Sequence, residues 1–539
     1  MQIKELLQYN DIVTQCHNNP DADAVASGWA LLCYLEQNGK QARLIYSGEH
    51  RITKANMVLL CEKLQIPIEY VEKLEEKPEL LICVDCRYGG GNVRKFEAEA
   101  FAVIDHHPSG KNDPKLPKLN EVRDKYGACS TIVWDMMMES GFDPADNVQL
   151  ATALFYGLFM DTARLQELRH PKDMDMRDAL QFRCQSDLMF MLQNCNLSED
   201  DLETTGMALM TCKHYSYSED RKFSIVSIKQ CDPNLLGVIS DLVMENEKTD
   251  VCVAFCVQLN PDENSDSIVK FSVRSCLLEA RADYIASFLA KGIGGGGGHP
   301  RKSGGTLRNG VLEVVHEPGF SDTYGFKDKI HQLFFQRLQF YMKAPEIYYA
   351  GEKAPKGDAF YPEITELFQT GAVYQKNRMP VGYVKASDLY EAGTQICVRM
   401  LEGDITFVVE EDTYLMLGID AEVYQNKEKD FRKNNDLSDA AYCFTGEYPP
   451  RVIWAQSDSK DVRELAQYAK TCIPKEGARI RAKQLDCRVK IIPDWSKDGL
   501  LGEPSDWLVV REDNIKDFYI IKNNIFVRSY TLVKEREIL

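Results

Sequence analysis

Phe101-Ala102-Val103-Ile104-Asp105-His106-His107 is a short apolar run that ends abruptly in three side chains able to hold a metal. A run of this length between polar residues suits a buried strand of a parallel sheet covered on both faces. Placing a carboxyl and two imidazoles at the mouth of such a strand is costly unless something binds them. Three similar element ends lie in the first third of the chain. Asp11-Ile12-Val13-Thr14-Gln15-Cys16 runs into His17-Asn18-Asn19-Pro20-Asp21-Ala22-Asp23-Ala24, Leu80-Leu81-Ile82-Cys83-Val84 ends in Asp85, and the apolar helical run from Ala151 to Met160 ends in Asp161. In open α/β sheets the ligand site lies beyond the carboxyl ends of the strands. The sequence therefore predicts that the four clusters converge on one crevice.

Imidazoles and carboxylates without thiolates suit manganese, magnesium, iron(II) or zinc. A carboxylate can bridge two such ions about 3.5–4 Å apart, the arrangement of two-metal phosphate-ester hydrolysis. Taken singly, Asp85 and Asp161 read as turn residues or helix caps; the ordered set points to phosphate-ester hydrolysis.

The set His17-x-x-x-Asp21-x-Asp23-Ala24, Asp85, Asp105-His106-His107 and Asp161 resembles the four motifs of the DHH phosphoesterases. That family holds RecJ-type exonucleases, oligoribonucleases, pAp phosphatases and cyclic-di-AMP phosphodiesterases. Further along, Gly294 to Gly298 followed by His299-Pro300-Arg301-Lys302-Ser303-Gly304-Gly305 resembles the glycine-rich substrate motif of the DHH-associated domain, so the likeness covers roughly residues 1 to 320. The resemblance implies that His17 and Asp21 hold one ion, that Asp23, His106 and Asp161 hold the other, and that Asp85 bridges them. It makes Asp85, Asp105, His106 and His107 the catalytic set, with Asp105 orienting a ligand and His107 facing the metals or the substrate phosphate. It gives Arg274, Gly296, Gly297, Gly298, His299, Arg301 and Ser303 to the substrate. The implied cofactors are two divalent ions, manganese first and magnesium second. Small residues commonly stand in the family where this chain has Arg301 and Lys302, which leaves those two side chains open between a phosphate and solvent.

Five consecutive glycines alone read as a flexible linker. Here they follow an amphipathic helix, Ala282 to Leu289, and lead straight into His299, which favours a binding loop whose N–H groups form an anion nest. In Tyr126-Gly127-Ala128-Cys129-Ser130-Thr131, Ser130 or Thr131 is expected to cap the helix that follows. Arg87 stands close enough to Asp85 to approach substrate or to form a structural ion pair.

The fold class expected is α/β, with a parallel-sheet metal-binding domain at 1–180, a helical connector at 181–210 and a mixed α/β substrate domain at 211–345. A β-rich α+β module follows. Within it Tyr424-x-x-Lys427-x-x-x-Phe431 recurs as Tyr519-x-x-Lys522-x-x-x-Phe526, and Lys385-Ala386-x-x-Leu389 as Arg481-Ala482-x-x-Leu485. Tandem copies at 346–450 and 451–539 are expected, as a binding or assembly module able to take a protein partner.

Seventeen scattered cysteines, many inside apolar runs, argue for a reducing compartment rather than a disulfide framework. Cys83-Val84-Asp85-Cys86 has the Cys-x-x-Cys spacing but no second pair, and reads as one core cysteine and one turn cysteine. No charged-then-apolar leader opens the chain and no apolar run is long enough for a bilayer, so a soluble cytoplasmic protein is expected. A formal charge of −18 argues against the broad cationic surface that long nucleic acid needs, yet leaves room for a small phosphorylated ligand held by two cations. The function expected is hydrolysis of short nucleotides: a dinucleotide, a cyclic dinucleotide or pAp. A single-strand exonuclease, and a catalytically silent nucleotide-binding or scaffold protein, are the alternatives. A homodimer is left open.

Overall fold

The apolar runs that end in metal-capable residues form neighbouring strands of one sheet. In the computed structural model, Asp11–Gln15 (β1), Gln41–Tyr46 (β2), Ile68–Tyr70 (β3), Leu80–Val84 (β4), Ala100–Asp105 (β5) and Leu119–Val122 (β6) pair in the order β3-β2-β1-β4-β5-β6, all in parallel. The structure describes residues 1–533 apart from 49–50, 108–116, 195–196, 219–220, 229–230, 234, 259–267, 278–279, 309–325, 344–346, 351–361, 402, 420, 457–462, 476–478, 492 and 494–499. The boundary expected at 345/346 lies outside these residues.

β4 is buried along its whole length because it is covered twice. Ile12, Leu80, Ile82, Ala102 and Ile104 pack with the helices Ala22–Gln37 (α1), Cys129–Ser140 (α3) and Val148–Asp161 (α4), between which Ala55–Leu64 (α2) falls in chain order. Val13, Ile45 and Leu81 face the other way, onto Phe96 and Ala98. Cys83 and Cys86 share a small apolar cluster with Val93 and Val103, the core placement the cysteine pair suggested. Register does the rest. Gln15 lies beside Cys83 and Val84 beside Ile104, so one further residue on β4 and β5 and two on β1 bring Asp85, Asp105 and His17 to the same rim.

Two compact units make up the chain. Unit 1 takes residues 1–196, 381–433 and 438–472; unit 2 takes 197–380, 434–437 and 473–539. Pro171–Leu180 (α5), Ser186–Asn194 (α6) and Glu199–Met210 (α7) follow, the last two within 181–210, where the boundary between the units falls. Unit 2 carries a six-stranded sheet of Lys213–Ser218 (β7), Arg221–Ile228 (β8), Val251–Gln258 (β9), Ile268–Ser275 (β10), Gly294–Gly298 (β11) and Lys302–Leu307 (β12) in the order β11-β12-β10-β9-β8-β7. Only β8 and β9 pair in parallel; Leu235–Met244 (α8) and Ala282–Ala290 (α9) cover this mixed sheet together with the helix Phe326–Lys343.

The C-terminal region is β-rich, and its two copies share one topology. Unit 1 has a five-stranded sheet in the order 423–427, 413–417, 381–385, 470–474, 435–441. The sheet in unit 2 runs 514–521, 507–511, 479–484, 372–376, 530–532, which is the same order with each strand replaced by its counterpart. The fourth strands are exchanged: 372–376, from the first copy, lies in the sheet of the second, and 470–474, from the second copy, lies in the sheet of the first. Phe431 and Phe526, the recurring aromatics, are both buried.

A second sheet in unit 1 sets Arg399 directly opposite Arg451 on the neighbouring strand. Like charges in that position repel, and carboxylates offset them. Arg399, 2% exposed, donates through Nη1 to Asp175 at 2.9 Å and Asp178 at 3.0 Å, and through Nε and Nη2 to Asp404 at 2.9 Å each. Arg451 also pairs with Asp175, and the Tyr448 hydroxyl donates to it at 3.1 Å. Asp175 and Asp178 belong to α5, so this cluster fixes the β module on the parallel-sheet domain. Among the described residues no helix is long and apolar enough to cross a membrane.

Asp175→Ala leaves two cross-strand guanidiniums facing each other without the buried carboxylate between them. It should destabilise unit 1 by about 3 kcal/mol, read as an earlier transition in urea unfolding followed by tryptophan fluorescence. An unchanged transition would show that the cluster contributes nothing to holding the module.

Candidate metal centre

His17 leaves β1 on the turn that leads to α1. Asp21 caps that helix, its Oδ1 accepting from Asp23 N and Ala24 N at 3.1 Å each. The other oxygen lies 3.9 Å from His17 Nε2. Here the cap and the candidate ligand are one residue.

Asp23 sits in the first turn of α1, 1% exposed. Its carboxylate accepts from Cys129 N at 2.7 Å and Ser130 N at 2.8 Å, and from the Ser130 hydroxyl. The N-terminus of α3 thus ends on a carboxylate from α1, where its exposed N–H groups and dipole favour negative charge. This corrects the expectation for Ser130 and Thr131: the capping residue is Ala128, with no side-chain cap of its own, and Asp23 fills that role from far away in sequence. Gly157 of α4 passes so close that a Cβ there would collide with Ser130 Oγ.

Asp85 follows β4 with φ +56°, a left-handed backbone that Asp tolerates better than most residues. It is 4% exposed, and its buried Oδ1 has no hydrogen-bond partner. That oxygen lies 3.4 Å from His106 Nε2 and 3.6 Å from His107 Nδ1, while Oδ2 lies 3.7 Å from His17 Nε2. His106 Nδ1 stands 3.3 Å from the carbonyl of Tyr126, a contact that puts the proton on Nδ1 and turns Nε2 toward Asp85 and toward Asp161, 3.3 Å away. Asp161 ends α4, and the three residues Ala163, Arg164 and Leu165 beyond Thr162 all have positive φ, so the helix stops there sharply.

Three groups of donors result: His17-Asp21-Asp85, Asp85-His106-His107 and Asp23-His106-Asp161, each with its donor atoms within 4.8 Å of one another. Asp85 and His106 each belong to two of them. Charge confirms the fit to cations. Burial, and then the charges of Asp85 and Asp161, push the Asp23 carboxyl well above the usual range, although three donors favour its ionised form. Burial works against protonation of His17 and His106, yet the carboxylates of Asp21 and Asp85 beside the first, and of Asp85, Asp161 and Asp23 beside the second, raise both. Burial also pushes the Cys16 and Cys129 thiols well above their usual range, so the donors on offer are nitrogen and oxygen. A set of hard oxygens and imidazoles with one unpartnered carboxylate oxygen shared between groups fits divalent cations.

Asp105 stands behind this cluster. Its Oδ1 accepts from His107 Nδ1 at 2.8 Å and His107 N at 3.1 Å, and Oδ2 lies 3.3 Å from Arg87 Nε. Burial opposes it, but the His107 ring and backbone hold this carboxyl below the usual range. Arg87 also donates to the His107 carbonyl at 2.7 Å, so of its two readings the structure has the ion pair. The His107 side chain is 49% exposed, on the open side of the donors.

In unit 2 the glycine run is a strand rather than a loop. Gly294–Gly298 is the edge of the six-stranded sheet, paired antiparallel with 303–307. Packing explains the composition: a Cβ on Gly296 would collide with the Ala286 carbonyl of α9. Ser287 donates to the Gly296 carbonyl at 2.9 Å. Gly298, at φ +140°, starts the bend to His299, whose carbonyl accepts from Ser303 Oγ at 3.2 Å. Arg301 is exposed. Arg274, expected on a phosphate, pairs with Asp241 at 2.5 Å and donates to Ser272 Oγ at 2.9 Å.

A cation that takes the Nε2 atoms of His17 and His106 must displace protons that the carboxylates have drawn onto them. Both imidazoles are held above the usual histidine range by the neighbouring carboxylates, so manganese binding should release protons and tighten as pH rises. Calorimetry in two buffers of different ionisation enthalpy measures the release; identical heats in both would contradict this electrostatic account.

Residues 11–158 match the model of the DHH family, N-terminal domain. An uncharacterized protein of Methanocaldococcus jannaschii is 30% identical over 196 residues, 36% of this chain, and the match spans 39% of that relative's length. A second uncharacterized protein of the same organism is 23% identical over 358 residues, 64% of this chain and all of the relative. Among solved structures, an exopolyphosphatase-related protein from Bacteroides fragilis aligns with 63% of this chain and 96% of its own at 16% identity and a TM-score of 0.47. RecJ in complex with Mn2+ from Thermus thermophilus aligns with 79% of this chain and 69% of its own at 12% identity and a TM-score of 0.33. The matched stretch, residues 11–158, holds the six-stranded parallel sheet and every candidate donor except Asp161, so that part of the chain is similar to a DHH-family N-terminal domain.

Proposed function

We propose that this protein is a metal-dependent phosphoesterase that hydrolyses short nucleotides at a two-metal site built on Asp85. The observation that carries the reading is the buried, unpartnered Oδ1 of Asp85, a carboxylate common to two groups of donors. Two divalent cations there, manganese first and magnesium second, would generate hydroxide from water near neutral pH and offset charge on the phosphoryl group and leaving oxygen. His17 and Asp21 would hold one ion, and Asp23, His106 and Asp161 the other.

The chain's own residues do the positioning. Asp105 fixes the His107 ring, and His107, half exposed beside Asp85, is placed to donate to a substrate phosphate oxygen. Asp23 is held by the N-terminus of α3 and so keeps its place whether or not a cation is bound. In unit 2 we assign a role in substrate binding to His299, the glycine strand, Ser303, Arg301 and Arg274, the last after exchange of its Asp241 partner for a phosphate. A net charge of −18 supports short substrates, since a track for long single strands needs extended positive surface and stacking rings.

The deciding experiment is a panel of pApA, cyclic di-AMP, pAp and RNA oligomers of increasing length with manganese. Turnover should concentrate on substrates of a few nucleotides; equal efficiency on long strands would replace the reading with a single-strand exonuclease, and binding without turnover with a nucleotide sensor. Asp85→Asn keeps the volume and removes the shared charge, so its loss of activity should exceed the ~10–100-fold typical of outer-shell partners. His299→Ala should raise KM while metal content, read by elemental analysis, stays at the wild-type level. Loss of the metals in that variant would contradict the division of roles.

A further inference from the structure

The segment 126–130 touches two of the candidate ligands at once. The Tyr126 carbonyl faces His106 Nδ1, and the N–H groups of Cys129 and Ser130 hold Asp23. The segment is itself held by the start of α5. The Asp173 carboxylate, fully buried, accepts from Gly127 N and His170 N at 2.9 Å each and from Arg169 N at 3.1 Å. The His170 ring stacks on the Tyr126 ring with centroids 4.3 Å apart and planes at 11°. Arg123 lies over the Tyr126 ring at 5.2 Å and donates to the Tyr126 hydroxyl at 3.0 Å. Tyr126 is thereby fixed at its ring and its tip.

On the far side of His170 stands the β module. The Tyr448 ring meets His170 edge-on, at 6.0 Å and 89°, and its hydroxyl reaches Asp175 one turn along α5. Glu447 places Oε1 3.6 Å from His170 Nε2 and Oε2 2.5 Å from Lys125 Nζ, the neighbour of Tyr126. Glu447 and Tyr448 therefore bear on both sides of the element that orients His106 and Asp23. All of these residues lie in one compact unit.

We propose that Glu447 and Tyr448 are positioning residues for the metal centre, acting through the His170–Tyr126 stack on His106 and through the 127–130 turn on Asp23, and that this gives the first C-terminal copy its role. The inference rests on the two-metal reading of the site. Outer-shell groups that fix a ligand's orientation govern metal affinity as well as structure. If the module only stabilised the domain, its variants would lower the unfolding midpoint and leave the affinity of the folded protein alone.

The test is manganese affinity by calorimetry on the full chain, with the visible spectrum of the cobalt-loaded protein as a signature of ligand geometry. His170→Ala and Tyr448→Ala should weaken manganese binding by about tenfold and shift the cobalt bands, whereas His170→Phe and Tyr448→Phe, which keep the ring contacts, should restore most of the affinity. Wild-type affinity and spectrum in folded alanine variants would overturn the proposal, as would phenylalanine variants no better than the alanine ones. Tyr448 is buried, so Glu447→Lys, at a half-exposed position, provides the arm least burdened by folding: it turns the contact with Lys125 into repulsion, removes the carboxylate beside His170 and should weaken binding in the same direction, and unchanged affinity there also overturns the proposal. A wild-type protein that binds no manganese would sink the metal reading and this inference together. Wild-type binding that Asp85→Asn abolishes and the module variants leave untouched would sink this inference alone.

Discussion

Asp21, Asp23, Asp85 and Asp161 are brought within reach of two imidazoles at the rim of one sheet, and the protein must hold that much like charge together without a compensating cation of its own. The cost is reduced residue by residue. The N-terminus of α1 neutralises part of Asp21 and that of α3 part of Asp23, while His17 and His106 take up protons. Asp85 has least help from hydrogen bonds, with one buried oxygen unpartnered and a left-handed backbone. The parallel register that sets His17, Asp85 and Asp105 side by side is thus one the chain adopts against electrostatic repulsion, and the apolar packing of Ile12, Ile82 and Ile104 under the helices drives it.

What the sequence disclosed was whatever local pattern can carry. Apolar runs four or five residues long, each closed by a polar side chain, located β1, β4 and β5, and the rule that sites lie beyond strand ends located the crevice. Partners distant in sequence were out of reach. Nothing near Cys129 announces that Asp23 will cap α3, and nothing near Asp175 announces Arg399, 224 residues away. The glycine run failed for another reason. Without side chains a strand has no alternation to read, and Gly294–Gly298 is a strand because 303–307 pairs with it and because α9 sits too close for a Cβ. Arg274 shows the limit of charge as a guide: its guanidinium already has a carboxylate, and whether phosphate displaces Asp241 depends on energies that no motif records.

The C-terminal copies show how a duplication can be legible while its boundaries are not. Tyr424, Lys427 and Phe431 recur at a spacing of 95 residues because the buried Phe and its supporting strands recur. The exchange of 372–376 and 470–474 between sheets has no sequence signature, since either strand is adequate in either sheet. Its consequence is topological: each five-stranded sheet needs a strand from outside its own stretch of chain, so cutting between the copies leaves both sheets with unsatisfied edges. The copies are therefore not independent modules that a terminal truncation could remove cleanly.

Preorganisation links these features to chemistry. A metal site built from free side chains would pay the entropy of fixing each donor when the ion arrives. Here most of that cost falls on folding. Asp21 and Asp23 are held by helix N-termini, His106 faces a backbone carbonyl and His107 is tied to Asp105, while Asp85 is placed by its own backbone conformation. The same rigidity limits what the site can accept, because donors fixed before binding cannot spread to suit a cation of a different radius. Selection among hard divalent ions would then follow from the spacing of Asp85 and His106, the two residues shared between donor groups, more than from the intrinsic affinity of carboxylate and imidazole. A side chain that moved either of them by a fraction of an ångström would act on every ion held there, so groups as far off as α5 and the β module would bear on the chemistry at the sheet rim.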